Sequence, residues 1–253
     1  MHAIRGSEMM HLWTDEMIMF MDRASAFSSY FEDVEREIEP YLEGCTSILD
    51  AGCGIGQLSI ELSKHYGRVA AVDLSERAIA HLRGSLRKKG IANVEAIAED
   101  LHSFEPEEKF DAAVFNYFGR IDEIVSIASR IVDGTVIAIK RNYPKHRFSL
   151  SECRIDESGK IDSEEYLRSL SIPYSVKEIE YELGQPLADM DEALSFFRLY
   201  SRDKDRSIIT KERIAGRLVE SEIPGFRYYL PQTKRSRILV FNTKDMENGR
   251  HLQ

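Results

Sequence analysis

The chain has 253 residues and a formal net charge of −9, so its length suits one large domain or one domain with a sizeable insertion. The acidic balance argues against a protein whose main task is binding nucleic-acid phosphates, because that affinity rests on many Lys and Arg contacts. No run of ~18 apolar residues is present, so no membrane-spanning helix is expected. Three scattered cysteines (Cys45, Cys53 and Cys153) and the lack of a signal-like beginning predict a reduced, cytoplasmic protein.

The N-terminal region carries a helical pattern and predicts a helical cap over residues 1–44. Apolar side chains recur at spacings of three and four residues from Phe27 to Leu42, which places them in one stripe. Pro40 is expected to kink or split this helix, and Gly44 is expected to end it.

From residue 45 to about residue 145, short apolar runs alternate with helical stretches. Strands that alternate with helices form a parallel sheet covered by helices on both faces, so we predict a doubly wound α/β core over residues 45–145. Ser75 and Gly90 fit the two ends of one of these helices. The predicted strands are 47–51, 68–73, 93–98, 111–117 and 135–140, and the predicted helices are 57–66, 75–89 and 120–132.

After residue 145 the alternation loosens, and residues 146–253 are predicted to complete the sheet and to add helices over the acceptor pocket. Apolar and charged residues alternate over 175–183, which predicts an edge strand. The other predicted elements are helices at 162–170, 189–200 and 210–221 and a last strand at 237–243.

The stretch ILDAGCGIGQ places Gly52, Gly54 and Gly56 directly behind the first predicted strand. In open α/β sheets a ligand lies outside the carboxyl ends of the strands, and glycine lets it approach the backbone of the first strand-to-helix turn. The dinucleotide fingerprint is absent because Gln57 stands where its third glycine should be, and no P-loop lysine follows. Asp50 would repel a pyrophosphate, yet a carboxylate there suits a ligand that carries an ammonium group.

The segment ILDAGCGIGQLSIELSKHYGRVAAVDLS resembles the first two motifs of the class I S-adenosylmethionine-dependent methyltransferases. The likeness continues through AEDLHSF and FDAAVFNYFG to DGTVIAIK, so it covers about residues 47–140. It implies a Rossmann-like fold with a doubly wound, mostly parallel seven-stranded sheet, an N-terminal cap and a C-terminal insertion. It also implies S-adenosylmethionine as cofactor and S-adenosylhomocysteine as product.

The resemblance places the first half of the cofactor on the glycine loop, which includes Cys53. Asp50 would then lie near the amino group of its methionyl part. Asp73, which ends the second strand, resembles the acidic residue that binds both ribose hydroxyls, and Leu74 would lie against the adenine. An acid about 20 residues after the glycine turn also agrees with the general requirement of a ribose ligand. The alternative for Asp73 is a solvated acid beside a helix N-terminus.

The resemblance also assigns residues after the third and fourth strands. Asp100 resembles the position that reads the adenine amino group, with Leu101 beside it, although neighbouring Glu99 could take that role. Asn116 would face the methyl-bearing end of the cofactor. Tyr30 belongs to a predicted lid over residues 9–31 and is expected to contact the cofactor; a permanently docked helix or a dimer contact is the alternative.

The predicted function is transfer of a methyl group to a small-molecule acceptor by a monomer or homodimer. The residues NYFG after the fourth strand lack the prolines that many amino-methylating enzymes of nucleic acid and protein carry there. Basic residues at 140–147 and 234–237 predict an anionic acceptor, a tRNA contact or a solvated surface. An RNA methyltransferase and a non-catalytic cofactor-binding protein stay open as alternatives. The sequence identifies no catalytic base and no metal site.

Overall fold

A computed structural model describes residues 13–152 and 161–250 of the chain, except for the side chains of residues 247–250. Cys153 and residues 9–12 of the predicted lid lie outside the described residues. In chain order the elements are α1 (Asp15–Ala26), α2 (Tyr30–Ile38), β1 (Ser47–Ala51), α3 (Gln57–Leu62), β2 (Arg68–Asp73), α4 (Glu76–Lys89), β3 (Val94–Ala98), β4 (Phe110–Asn116), α5 (Ile121–Ile131), β5 (Val132–Arg141), α6 (Ser163–Ser169), β6 (Tyr174–Glu182), β7 (Gln185–Leu187), α7 (Met190–Tyr200), α8 (Lys211–Ala215), β8 (Val219–Glu220), β9 (Tyr228–Leu230), β10 (Thr233–Asn242) and α9 (Thr243–Arg250).

Seven strands form one sheet in the order β3-β2-β1-β4-β5-β10-β6. Strands β1 to β5 pair in parallel, whereas β10 pairs antiparallel with both β5 and β6. The predicted doubly wound, mostly parallel seven-stranded sheet is therefore confirmed. The strand order reverses between β1 and β4, and ligands of open α/β sheets bind at such a reversal.

Helices cover both faces of the sheet because alternate residues of each strand point to opposite sides. Ile48 packs with Val34 and Ile38 of α2, while the next residue, Leu49, packs on the other face with Ile124 of α5. Burial is continuous from Ile48 to Ala51, as expected of a central parallel strand, and it includes the acidic side chain of Asp50. This packing fixes the carboxyl end of β1, from which the glycine loop starts.

The N-terminal helix breaks earlier than the proline predicted. The chain leaves the helix at Phe27, and Pro40 lies in a short 3₁₀ turn over Glu39–Tyr41. At the break, the hydroxyl of Ser28 competes with the helical backbone for hydrogen bonds. Ser28 Oγ donates to the carbonyl of Glu182 and accepts from the backbone N–H of Tyr30, so it also ties the break to β6.

The predicted ends of α4 are correct. Ser75 Oγ accepts from the backbone N–H of Ala78, and Gly90 ends the helix with a φ of 67°. The predicted helix at 210–221 is wrong beyond Ala215, where a turn leads into β8. β8 joins β9 and β7 in a second, three-stranded sheet, which the sequence pattern did not predict.

The C-terminal elements around the second sheet pack on α1. Phe20 of α1 is buried against Leu187, Phe196, Phe197 and Leu230. Its ring meets that of Phe196 edge to face with centroids 5.0 Å apart. None of the helices in the described parts of the chain is both long enough and apolar enough to cross a lipid bilayer.

Candidate cofactor and acceptor site

The glycine loop runs from the end of β1 over the end of β2. The backbone N–H groups of Gly52 and Cys53 both donate to the carbonyl of Val72. Gly52, Gly54 and Gly56 have φ angles of 70°, 56° and 76°, which is the left-handed region that side chains disfavour. The loop therefore needs glycine for its backbone path as well as for space.

The space above each glycine is taken by a different neighbour. A Cβ on Gly52 would lie 2.4 Å from the ring of Phe118, and a Cβ on Gly54 would lie 2.7 Å from the indole of Trp13. On Gly56 it would lie 2.3 Å from the side chain of Leu82 in α4. Gly56 therefore allows helix packing, while Gly52 and Gly54 present bare backbone beneath two aromatic rings. That surface fits a ligand, provided that Phe118 and Trp13 move.

Asp73 is held in place at the carboxyl end of β2. Its Oδ2 accepts from the backbone N–H of Gly54 and its Oδ1 from that of Ser75, both at 2.8 Å. These contacts fix the carboxylate at the carboxyl end of β2, the edge of the sheet at which ligands of open α/β folds lie. Leu74, beside it, is 58% exposed, which suits contact with a flat apolar group.

Asp50 lies beneath the loop rather than on it. Its side chain is buried and accepts from Ser59 Oγ at 2.5 Å. Burial raises the pKa of Asp50 to about 7, and the negative charge of Asp73 adds to the shift. Burial also raises the pKa of the Cys53 thiol, so this sulfur stays protonated at neutral pH. A cationic group near Asp50 would favour its ionised form.

Asp100 and Leu101 follow β3 but point differently. Asp100 is exposed and its Oδ1 accepts from the backbone N–H of His102 at 2.9 Å. Leu101 is buried in the core, and its carbonyl accepts from Arg130. Only Asp100 presents its side chain at the edge where the other predicted cofactor residues lie.

Asn116 ends β4 with a buried polar atom that lacks a partner. Its Oδ1 has no hydrogen bond within the described parts of the chain. Buried acceptors of this kind normally meet a donor, so this atom is available to a ligand N–H or O–H. Tyr117 follows with a φ of 60° and forms a hydrogen bond between its hydroxyl and Ser236 Oγ at 2.7 Å. Such a backbone conformation is strained for a tyrosine.

A lysine–tyrosine cluster, formed by Lys234, Tyr117 and Tyr30, lies beyond β4. Lys234 Nζ is 3.9 Å from the ring centroid of Tyr117 and 4.5 Å from that of Tyr30. Burial lowers the pKa of Lys234 to about 7, with a further contribution from Arg147. Tyr30 is fully buried in this cluster, and burial raises its pKa to about 12. The sequence predicted Tyr30 as a cofactor contact but gave Lys234 only as part of a basic stretch.

Helix α1 bridges the glycine loop and the C-terminal elements. On one side, Asp22 accepts from Gln57 Nε2 at 2.9 Å and lies 2.8 Å from His81 Nε2. On the other side, Arg23 forms an ion pair with Glu192 at 2.6 Å, with both side chains largely buried. Among the residues for which side chains are described, no group of three or more His, Cys, Asp or Glu is placed to hold a metal ion.

Comparisons with known proteins agree with this geometry. Residues 48–132 match a family model described as a methyltransferase domain. Ribosomal RNA small subunit methyltransferase G of Chromobacterium violaceum is 29% identical over 115 residues, which are 44% of this chain and 55% of that protein. Ribosomal protein L11 methyltransferase of Ruminiclostridium cellulolyticum is 30% identical over 124 residues, which are 46% of this chain and 39% of that protein.

The chain thus spans about half, or less, of the length of these relatives. The solved structure of the YcgJ protein from Bacillus subtilis superposes with a TM-score of 0.53 at 16% identity, covering 83% of this chain and 97% of that one. At that identity the superposition shows the fold alone. By its matched segment and its seven-stranded sheet, this chain carries a methyltransferase domain with the Rossmann-like fold that the resemblance to class I S-adenosylmethionine-dependent methyltransferases implies.

Proposed function

We propose that this chain is an enzyme that transfers the methyl group of S-adenosylmethionine to a small-molecule acceptor. The observation that carries the proposal is the position of α1: Trp13, two residues before this helix, contacts the glycine loop, and Phe20 of the helix packs on the C-terminal elements. A ligand between these anchors would be enclosed by α1 and the C-terminal elements. Enclosure suits a small acceptor better than the surface of a folded RNA or protein.

The residues at the strand ends fit the cofactor in the order in which its parts are joined. The bare backbone at Gly52 and Gly54 would receive the methionyl part, with Asp50 close to its amino group. Asp73 would bind the ribose, Leu74 would contact the adenine and Asp100 would bind the adenine amino group. S-adenosylmethionine, when bound, supplies a methyl group on a positively charged sulfur that a nucleophile attacks in line.

The task of the chain in this reaction is to align the acceptor and to exclude water. Correct alignment of two reactants lowers the activation barrier by ~7–11 kcal/mol in favourable cases. A strong nucleophile can attack the methyl group without a general base. The unpaired Oδ1 of Asn116 would accept a hydrogen bond from the acceptor or the cofactor at the end of β4. Phe118 covers Gly52, so its ring would move aside to admit the methionyl part and would then shield this region from solvent.

An RNA acceptor is the second candidate, because the relative from Chromobacterium violaceum is named as a ribosomal RNA methyltransferase. The basic residues at 140–147 are the feature of this chain that would contact RNA. The net charge of −9 opposes this reading. Salt dependence separates the candidates, since contacts with many phosphates weaken steeply as salt concentration rises and contacts with a small acceptor do not.

The test is incubation of the purified chain with methyl-labelled S-adenosylmethionine and a cell extract, followed by separation into small-molecule, RNA and protein fractions. We expect label in the small-molecule fraction, and none when Asp73→Ala replaces the wild-type chain. Label confined to RNA or protein would refute the small-molecule acceptor. Binding of the cofactor without label in any fraction would show a non-catalytic binding protein.

A further inference from the structure

Lys234 lies in a partly buried position, and no acidic side chain among the described residues pairs with it. Its ammonium group contacts the faces of two tyrosine rings, Tyr117 and Tyr30. Among the described residues, Arg147 is the charged side chain that acts on it, and the two charges have the same sign. A desolvated cation next to a second cation is unfavourable unless an anion joins them.

Arg147 is also without a carboxylate in the described parts of the chain. Its Nε donates to Gln232 Oε1 at 3.4 Å, and its Nη2 donates to the carbonyl of Leu183 at 3.5 Å. Both acceptors are neutral, and both distances are long for hydrogen bonds. The guanidinium otherwise stacks on Phe148, 5.0 Å from the ring centroid. Its charge is therefore compensated by aromatic faces and neutral groups alone.

The hydroxyl of Tyr30 adds a third donor to the same place. It is buried and lies near Ser236 and Tyr117, but it meets the geometry of a hydrogen bond with no group in the described residues. Ser236 Oγ is already engaged with the hydroxyl of Tyr117. Two cations and an unpaired hydroxyl together require an acceptor of hydrogen bonds that carries negative charge.

The position of the cluster in the sheet assigns it to the acceptor rather than the cofactor. The glycine loop and Asp73 follow β1 and β2, whereas Lys234 is on β10, three strands away from β1 across β4 and β5. Ser236 pairs with Arg141, the last residue of β5, so Lys234 extends beyond the end of that strand at the ligand-binding edge. The predicted cofactor residues of the glycine loop, β2 and β3 thus lie on one side of Asn116, whereas Lys234 and Tyr30, which was also predicted to contact the cofactor, lie on the other.

We propose that Lys234, Arg147 and the hydroxyl of Tyr30 bind an anionic group, a carboxylate or a phosphate, of the methyl acceptor. This assignment rests on the proposed function and names the chemical class of its substrate. Lys234 acts here as an ammonium donor and no proton transfer is required. The anion would raise the pKa of Lys234 from about 7, because it favours the charged form.

A direct test follows the Lys234 signal by NMR in ¹³C-lysine-labelled chain saturated with S-adenosylhomocysteine, with Lys234→Met to identify the signal. Titration with acetate and with inorganic phosphate is expected to shift this signal and to raise its pKa by at least about one unit, which corresponds to tenfold tighter anion binding by the ammonium form. The stronger of the two anions identifies the chemical group. Neutral acetamide should have no effect. A Lys234 signal that ignores both anions would overturn the proposal.

A second test uses the labelled products of the fractionation assay. We expect the labelled small molecule to be an anion, and Lys234→Met to lower kcat/KM for it by at least ~10-fold, mainly through KM, because a charge-assisted contact is lost. Affinity for S-adenosylhomocysteine should stay within ~3-fold, since the cofactor does not contact Lys234. Lys177→Met is the matched control, because Lys177 is an exposed lysine of β6 that pairs with Glu37. A neutral or cationic labelled product overturns the anion site but leaves the methyltransferase proposal standing, whereas no labelled small molecule overturns the proposed function.

Discussion

The backbone N–H of Gly54 donates to Oδ2 of Asp73 at 2.8 Å, and this bond joins the glycine loop to the acidic end of β2. The two groups that we assign to opposite halves of one ligand therefore depend on each other for their positions. A substitution in the loop should therefore also change the position of Asp73, and this change should be measurable as a change in cofactor affinity.

Gly54→Ala should weaken binding of S-adenosylhomocysteine by at least ~10-fold, because a left-handed φ strains alanine by ~1–2 kcal/mol and the new Cβ meets Trp13. The measurement is calorimetric titration of each variant. Gly44→Ala is the matched control, since Gly44 has a φ of 80° with nothing within 4 Å of its Cβ position. Both variants should lose similar unfolding free energy, and equal loss of affinity in both would contradict the assigned site.

The indole of Trp13 should move when the cofactor binds, because it lies on the bare backbone of Gly54. Trp13 is the single tryptophan of the chain, so its fluorescence reports this residue alone. Titration with S-adenosylhomocysteine is expected to change the emission and to saturate at the calorimetric Kd. Saturation by calorimetry with no change in emission would show that the ligand binds away from this surface.

Affinity for S-adenosylhomocysteine should rise with pH between about 5.5 and 7.5 and then level off. The pKa of Asp50 is about 7, so the carboxylate that attracts the amino group forms over this range. If the ligand lowers that pKa by one unit, the rise is about tenfold. Asp50→Asn should bind more weakly and without this pH dependence; a wild-type affinity that is flat over the range would count against Asp50 as the partner.

Ionisation of Asp50 should also make the free energy of unfolding of the ligand-free chain depend on pH. A carboxyl whose pKa is raised in the folded state contributes stability that is present below the ordinary pKa of about 4 and is lost as pH rises through about 7. Denaturant unfolding at pH 5 and pH 8 should therefore show a larger decline for the wild type than for Asp50→Asn.

Asp22→Ala should loosen α1 and weaken binding of S-adenosylhomocysteine by ~3–10-fold, because Asp22 contacts both Gln57 and His81 in a partly buried position. Hydrogen exchange of α1 should become faster in this variant. Asp15→Ala is the control, since Asp15 pairs with Arg77 but is 87% exposed, and such pairs contribute little. If both variants bind like the wild type, α1 is a docked helix rather than a cover of the cofactor.

The parts of the fold that were predictable depend on residues that are close together in the sequence. β1 is buried on both faces and is apolar except for Ser47 and Asp50, and α4 begins and ends at Ser75 and Gly90, whose roles depend on their own chemistry. The sequence did not predict the second sheet because its strands have only two or three residues. Such short strands are too short to show an alternation of apolar and polar residues. The early break after Phe27 depends on a bond between Ser28 and Glu182, which are 154 residues apart in the chain.

The candidate site likewise contains residues that the sequence predicts and residues that it does not. The glycine loop and Asp73 have fixed spacing along the chain, so their pattern is readable from the sequence. Gly56 matches the pattern equally well, yet its missing side chain makes room for Leu82. The role proposed for Lys234 depends on its contacts with Tyr30 and Tyr117. These three residues belong to distant segments of the chain, so no sequence spacing predicts that they lie together.

The most direct test of the account is calorimetric titration of ligand-stripped wild-type chain and of Asp73→Ala with S-adenosylhomocysteine. We predict saturable one-to-one binding by the wild type and none by Asp73→Ala, with Asp133→Ala, changed at an exposed position of β5, binding like the wild type. Circular dichroism of each variant establishes that it is folded. Absence of binding by the wild type, or wild-type affinity in a folded Asp73→Ala chain, would contradict the assignment of this site.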